Sequence, residues 1–441
     1  MRRVLEALIR WLGEALVRLY YPVRVVDGRE RIPDGKPLIF VLNHPNGLLD
    51  PIVLQVAAGR RSRFLAKSSL FANPIGRLAM TAFGSIPVYR AHEGDTGRNE
   101  ATFALCRAEL AGGGVLALFP EGTSHSDPQM RPLKTGAARI ALSAEAEHDG
   151  RLGVTLVPVG LSYERKTLFR SSVLLVVGEP IAVAPRLPDY RHDERPTVDA
   201  LTDEIAARLD DIVLQAESRD LLVGIARVAR WTSGPESGED PEDPAARNRR
   251  AREMVAAYGR LRAHDPARLE AIVDEARSYG HALRRLGVRD PWALELSTVR
   301  AGAVAGAIGR LLLAAPLAAV GALLGWVPYR LSGVVAKRVT DDEDVLSTVK
   351  LIAGALFLFL GWTAEAVAVG LWRRSALGGA LVFGAGLACG YIALRFEELA
   401  RGAREGWRAI SLRALHFQTA RRLSERRRAL ADEVARALAD Q

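Results

Sequence analysis

The stretch ALFPEGTSHSDPQMRPLKTGAARIAL, Ala117 to Leu142, decides how the first half of the chain is read. It begins in an apolar run that reaches back to Val115, meets Pro120, Glu121 and Gly122, and crosses a polar loop carrying His125, Arg131 and Lys134. At Lys134-Thr135-Gly136 an apolar pattern of helical spacing resumes. A buried strand, a polar loop and a helix in that order are the repeating unit of an α/β layer. Loop amides, a helix N-terminus and nearby cations together can hold a phosphate or a developing oxyanion. An ordinary strand-loop-helix connection, with Glu121 paired to a neighbouring base, uses the same residues.

Outward from this stretch the pattern repeats. The runs PLIFVL, RFLA, IPVY, VLALF, VTLVPV and VLLVV alternate with the helix-like segments PIVLQVAAG, RNEATFALCRAELA and TGAARIALSAEAEH. Such alternation predicts an α/β domain with a mostly parallel sheet over residues 26–196. Residues 1–25 precede it as an amphipathic helix, with Val4, Leu5, Leu8, Ile9, Leu12, Leu16, Leu19 and Tyr20 on one face. Charges at Glu6, Arg10, Glu14 and Arg18 interrupt any signal-peptide core. The helix is therefore expected either in a membrane interface or packed on its own domain.

Residues 197–300 read as a helical module broken at 232–245 by an acidic, Pro- and Gly-rich loop. Residues 301–396 follow as hydrophobic membrane segments, with apolar runs at 311–328, 351–372 and 376–394 that approach the roughly 20 residues a bilayer crossing needs. The tail, 397–441, is a basic helical segment expected to stay cytoplasmic. With the α/β domain on the cytoplasmic side as well, the crossings must be even in number. The run at 311–328, interrupted by Pro316, is then expected to be re-entrant. Glu365 in the middle run should face protein or water.

Composition narrows the function classes. Sixty Lys and Arg against 51 Asp and Glu leave a formal charge of +9 in 441 residues, which suits an anionic surface. Apolar C-terminal runs point to phospholipid, and no basic motif with interleaved aromatics supports nucleic acid. Two cysteines and eight scattered histidines supply neither a disulfide framework nor metal-ligand spacing, so no metal and no cofactor are expected.

Three further stretches carry candidate chemistry. In VLNHPNGLLDP, Val41 to Pro51, Asp50 before Pro51 is a good helix start. It is also placed to accept from one nitrogen of His44, leaving the other to take a proton from an alcohol. In GSIPVYR, Gly84 to Arg90, the arginine at the strand end is able to grip a phosphate. VTLVPVGLSYE, Val154 to Glu164, reads as a buried strand that walls an acyl chain or a site mouth.

These four stretches, in this order, resemble the sequence blocks of the glycerolipid acyltransferase family. The resemblance implies an α/β fold and transfer of a fatty acyl group from a thioester donor, acyl-CoA or acyl carrier protein, to glycerol-3-phosphate or its monoacyl form. In the family's pattern His44 is the general base and Asp50 its orienting partner, while Arg90 and the loop of Glu121, Gly122 and Thr123 bind the acceptor phosphate. Two departures stand out: five residues rather than four separate His44 from Asp50, and Ser124 occupies the place of an arginine in the third block. Both are similar to the fungal-type glycerol-3-phosphate and dihydroxyacetone-phosphate acyltransferase branch. Arg131 and Lys134 then become the candidate phosphate ligands in place of the missing arginine. The expected function is acylation of glycerol-3-phosphate in phospholipid synthesis at the membrane. The alternatives are acylation of 1-acylglycerol-3-phosphate (lysophosphatidic acid) and a non-catalytic lipid-binding adaptor.

Overall fold

The computed structural model describes residues 2–22, 24–35, 37–89, 99–233, 243–288 and 301–440. Two compact units emerge: Met1–Ser218 together with Thr340–Leu351, and Arg219–Val339 together with Ile352–Gln441.

The first unit starts with α1 (Arg2–Tyr20) and continues through β1 (Arg24–Asp27), β2 (Leu38–Leu42), α2 (Leu49–Ala58), β3 (Arg63–Lys67), α3 (Pro74–Ala82) and β4 (Ile86–Val88). It proceeds through α4 (Asn99–Ala111), β5 (Val115–Leu118), α5 (Gly136–Glu147), β6 (Thr155–Tyr163), β7 (Val173–Val177) and β8 (Ile181–Ala182), and ends in α6 (Leu187–His192) and α7 (Glu194–Asp210). The strands form one sheet in the order β1-β7-β6-β2-β5-β3-β4, with β8 on β6. From β6 to β4 every neighbour is parallel; β7 runs antiparallel to β6 and carries β1 parallel to itself. The expected mostly parallel α/β sheet is thus present.

All six apolar runs are strands. β2, β5 and β7 are buried along their whole length, which is why they read as unbroken apolar runs rather than alternating ones. β1, β8 and α3 are additions. The helix α3 opens on Asn73, whose side chain accepts from the Gly76 N–H, with Pro74 in its first turn.

One end of α1 packs on its own domain. Val17 and Tyr20, with Tyr21 beyond the helix end, are buried in the core, whereas Val4 (72 % exposed), Leu8 (56 %) and Trp11 (62 %) leave an apolar stripe open. A second contribution to this core comes from far down the chain: Leu351 lies in the same apolar cluster as Val17, Tyr20 and Tyr21.

The second unit holds α8 (Arg219–Thr232), α9 (Pro244–His264), α10 (Pro266–Arg285), α11 (Ala301–Val339), most of α12 (Glu343–Trp372), α13 (Ala376–Leu415) and α14 (Phe417–Ala439). Asp243 and Asp265 cap α9 and α10 through their side chains, each followed by a proline. α8, α9, α10 and α14 pack together. Three helices, Ala305–Val339, Glu343–Trp372 and Ala376–Arg404, are long and apolar enough to cross a membrane, which marks the chain as membrane-associated.

The re-entrant reading of 311–328 is corrected here, because α11 runs unbroken through both Pro316 and Pro328. A proline inside a helix removes one N–H and bends it, but close neighbours can hold the helix together in an apolar setting. The neighbours are close: a Cβ on Gly321 would meet the Cys389 carbonyl at 2.0 Å, and one on Gly361 would meet the Pro328 ring at 2.9 Å. Small residues let these backbones approach.

Candidate active site

The carboxyl ends of adjacent parallel strands are where open α/β sheets place their ligands. β2 and β5 are such a pair, and each runs into one of the motif turns: β2 into His44-Pro45-Asn46-Gly47, β5 into Pro120–Ser126. The exit of β2 is fixed by Asn43, whose amide accepts from the Leu161 N–H (2.7 Å) and donates to the Leu161 carbonyl (3.1 Å). β2 is thereby tied to β6 beyond the end of their ladder.

His44 and Asp50 meet. The Nδ1 of His44 is 2.8 Å from Oδ2 of Asp50, a carboxylate with no exposed surface. The same oxygen accepts from the Asn46 N–H at 2.8 Å, and Oδ1 accepts from the Tyr163 hydroxyl at 2.6 Å. A carboxylate only accepts, so Nδ1 carries the proton and Nε2 is left with its lone pair. The imidazole stacks on Phe119, ring centroids 4.0 Å apart and planes 19° apart, which restrains rotation about the ring bond. Gly47, at φ 46°, provides the left-handed step that brings Asp50 back to His44.

A second layer supports the pair. Asn46 donates from Nδ2 to the Tyr21 hydroxyl (2.8 Å), and that hydroxyl donates to the Lys166 carbonyl (2.6 Å). Burial pushes the Tyr21 phenol well above its ordinary value, with Tyr20 adding to the effect. Tyr163 is raised by burial first and by the Asp50 charge second. Both phenols therefore remain donors through the neutral range.

The β5 turn is tied to the β2 turn by Glu121, which is 4 % exposed. Its Oε1 accepts from the His44 N–H (2.9 Å), and its Oε2 accepts from the Arg131 N–H (2.8 Å) and pairs with His125 Nε2. The His125 N–H donates to the His44 carbonyl at 3.1 Å. Lys166 bridges the same two turns from a third side, donating to the Pro45 carbonyl (3.0 Å) and to Ser126.

The other sequence candidates separate into groups. Lys134 lies over Gly122, whose φ is 75° and whose missing side chain makes the room: a Cβ there would stand 2.4 Å from the Lys134 ammonium. Among the described residues no hydrogen bond or ion pair engages that ammonium, so it is a cation available to a ligand. Thr123 is half-buried beside Gly122, its hydroxyl 3.4 Å from the Ser124 carbonyl. Arg131 turns its guanidinium to Asp127 (2.8 Å), and that hydrogen bond holds the exposed Asp127 carboxyl below its usual range. Arg90 lies outside the described residues.

Several members of the site had no role in the sequence reading. Asn46 reads in sequence as an ordinary turn residue, yet its side chain links Tyr21 to the pair. Tyr163 sits inside VTLVPVGLSYE, where its hydroxyl is indistinguishable by sequence from that of any strand-end tyrosine. Phe119 sits inside the Ala117–Leu142 stretch, where it reads only as the apolar end of a strand, while Tyr21 and Lys166 lie beside motifs without belonging to their pattern. No cluster of metal-ligating side chains occurs among the described residues.

A family model described as Acyltransferase matches residues 23–162, the segment that contains both turns and most of the sheet. An uncharacterized acyltransferase of Schizosaccharomyces pombe is 24 % identical over 368 residues, 64 % of this chain and 54 % of that protein. Glycerol-3-phosphate O-acyltransferase 2 of Saccharomyces cerevisiae is 30 % identical over 204 residues, covering 46 % of this chain and 26 % of its own length. A chloroplastic 1-acyl-sn-glycerol-3-phosphate acyltransferase of Brassica napus is 28 % identical over 137 residues, 31 % of this chain and 36 % of its own. The chain thus spans about half of the first of these relatives and smaller shares of the other two. Through residues 23–162, the domain built on β2 and β5, this chain is similar to acyltransferases of the glycerolipid type.

Proposed function

We propose that the chain transfers a fatty acyl group from a thioester donor, acyl-CoA or acyl carrier protein, to the hydroxyl of glycerol-3-phosphate, with His44 as general base. The observation that carries this reading is the His44–Asp50 pair, held by three donors on one buried carboxylate, with Nε2 unengaged among the described residues. Nε2 takes the proton of the acceptor hydroxyl as its oxygen attacks the thioester carbonyl carbon. The tetrahedral adduct collapses, the C–S bond breaks, and the thiolate leaves with the proton returned by the imidazolium. Asp50 stabilises that imidazolium and keeps its ring aligned.

Lys134, over Gly122, is the group proposed to meet the acceptor phosphate, with Thr123 beside it. Glu121 acts as the brace between the two turns, since both of its oxygens are taken. The exposed stripe of α1 lies in the membrane interface, where acyl donor and product partition.

Acylation of 1-acylglycerol-3-phosphate is the second reading, favoured by the similarity to the Brassica napus 1-acyl-sn-glycerol-3-phosphate acyltransferase. The test is transfer from a long-chain acyl thioester to glycerol-3-phosphate and, in parallel, to 1-acylglycerol-3-phosphate, with wild type and His44→Ala. Loss of roughly 10²–10⁴-fold in turnover with an unchanged melting temperature supports His44 as the base. Turnover with the monoacyl acceptor alone moves the assignment to the second step. No transfer from either donor class to either acceptor leaves the lipid-binding adaptor.

A further inference from the structure

The segment Thr340–Leu351, between α11 and α12, belongs to the catalytic unit although about 120 residues of the other unit separate it from Ser218. It is bonded into that unit at several points. Ser347, fully buried, donates from Oγ to the Lys166 carbonyl (2.7 Å), Lys350 donates to the Thr167 carbonyl (3.0 Å), and Leu351 enters the apolar core. Its leading end reaches both motif turns. The Ser124 hydroxyl donates to Oδ2 of Asp344, and the Asp344 carbonyl sits where a Cβ on Gly47 would be only 2.8 Å away. An acid in the first turn of a helix is common for electrostatic reasons, which accounts for an acid at 344 but not for these two contacts.

We infer that Asp344 is a positioning residue of the transfer site: acting through Ser124, it fixes the Gly122–Ser126 turn against the His44–Leu49 turn. The inference rests on the proposed reading in one respect only, namely that the acceptor phosphate binds at Gly122 and Lys134. Ser124 lies two residues from Gly122, so holding Ser124 holds the acceptor side relative to His44. The acyl donor gains no contact from this bond. A loosened turn therefore weakens acceptor binding before it affects donor binding.

The test uses the full chain in lipid nanodiscs, as wild type, Asp344→Ala, Asp344→Asn, Ser124→Ala and the double variant Ser124→Ala/Asp344→Ala. Each alanine variant is expected to raise KM for the acceptor about tenfold, the scale of a lost hydrogen bond to a charged group, with KM for the donor unchanged. The double variant should be no worse than either single one, because both remove the same bond. Asp344→Asn, whose amide oxygen still accepts from Ser124, should restore most of the acceptor KM. Additive losses, equal effects on donor and acceptor, or an asparagine variant as impaired as the alanine one would overturn the proposal.

A second readout does not depend on turnover. Hydrogen exchange at the amides of His44, Asn46, Gly122 and His125, each of which donates within the paired turns, should quicken in Asp344→Ala and Ser124→Ala but not in Asp344→Asn. Unchanged exchange in the alanine variants sinks the positioning role even if transfer is detected. Quickened exchange in a protein that acylates neither acceptor would sink the acyltransferase reading and leave the positioning role standing.

Discussion

At the scale of single residues, Asp50 is shared. One of its oxygens orients His44 and fixes the Asn46 amide, and the other takes the Tyr163 hydroxyl. Tyr163→Phe removes one of three donors from a buried charge, so a loss of about 1–3 kcal/mol in stability and a several-fold fall in kcat are expected, read by thermal melting and by initial rates. The pH dependence of stability has a definite sign. Tyr21 and Tyr163 both bind their protons more tightly in the folded chain than at tyrosine's ordinary 10.0. Their contribution is complete below pH 10 and is lost as pH rises above it, by about 1.4 kcal/mol per unit for each phenol. Melting curves between pH 8 and 11 should therefore fall steeply above 10, and Tyr163→Phe should flatten that fall; an identical alkaline slope in the variant contradicts it. The pair itself was legible because histidine and aspartate are chemically specific at short range. Tyr163 and Asn46 were not, because a tyrosine on a strand or an asparagine in a turn has many ordinary uses.

At the scale of elements, the turn after β2 depends on a glycine for two separate reasons. Gly47 takes a positive φ, and its missing side chain admits the Asp344 carbonyl. Gly47→Ala should cost about 1–2 kcal/mol from the left-handed conformation alone, and the added methyl should also displace the Thr340–Leu351 segment. Exchange at the 340–351 amides, measured beside acyl transfer, should show both effects; unaltered exchange there would mean the backbone approach tolerates a methyl. The long buried strands were readable because a strand covered on both faces leaves a continuous apolar run. β1, RVVD, was not: it is four residues long, only half-buried and charged at both ends, and its place is set by pairing with β7 rather than by local pattern. α3 carried an Asn-Pro start that is clear once the helix is seen. The path of α11 through Pro316 was misread for a related reason, since its support comes from glycine contacts on α12 and α13 that no local window contains. The contact of Asp344 with Ser124 spans 220 positions and leaves no trace in either neighbourhood.

At the scale of the whole molecule, the α/β unit is discontinuous. A fragment of residues 1–300 retains the sheet, the His44–Asp50 pair and every sequence motif, yet it lacks Ser347, Lys350 and Leu351. It is expected to melt at a lower temperature than the full chain and to exchange faster at Lys166 and around Tyr21, which differential scanning calorimetry and hydrogen exchange would register; equal stability would mean that the segment merely rests on the surface. The discontinuity also orders events during synthesis. The ribosome finishes Ser218 long before Leu351, and at translation rates of roughly 5–20 residues per second the interval lasts on the order of ten seconds or more. During that time the nascent domain lacks the Leu351 side chain from its apolar core, and the last piece arrives only after all of α11 has been made. Completion of this unit is thus timed by the emergence of the first long apolar helix, so that a chain stalled before that helix holds the His44–Asp50 pair but not the finished domain.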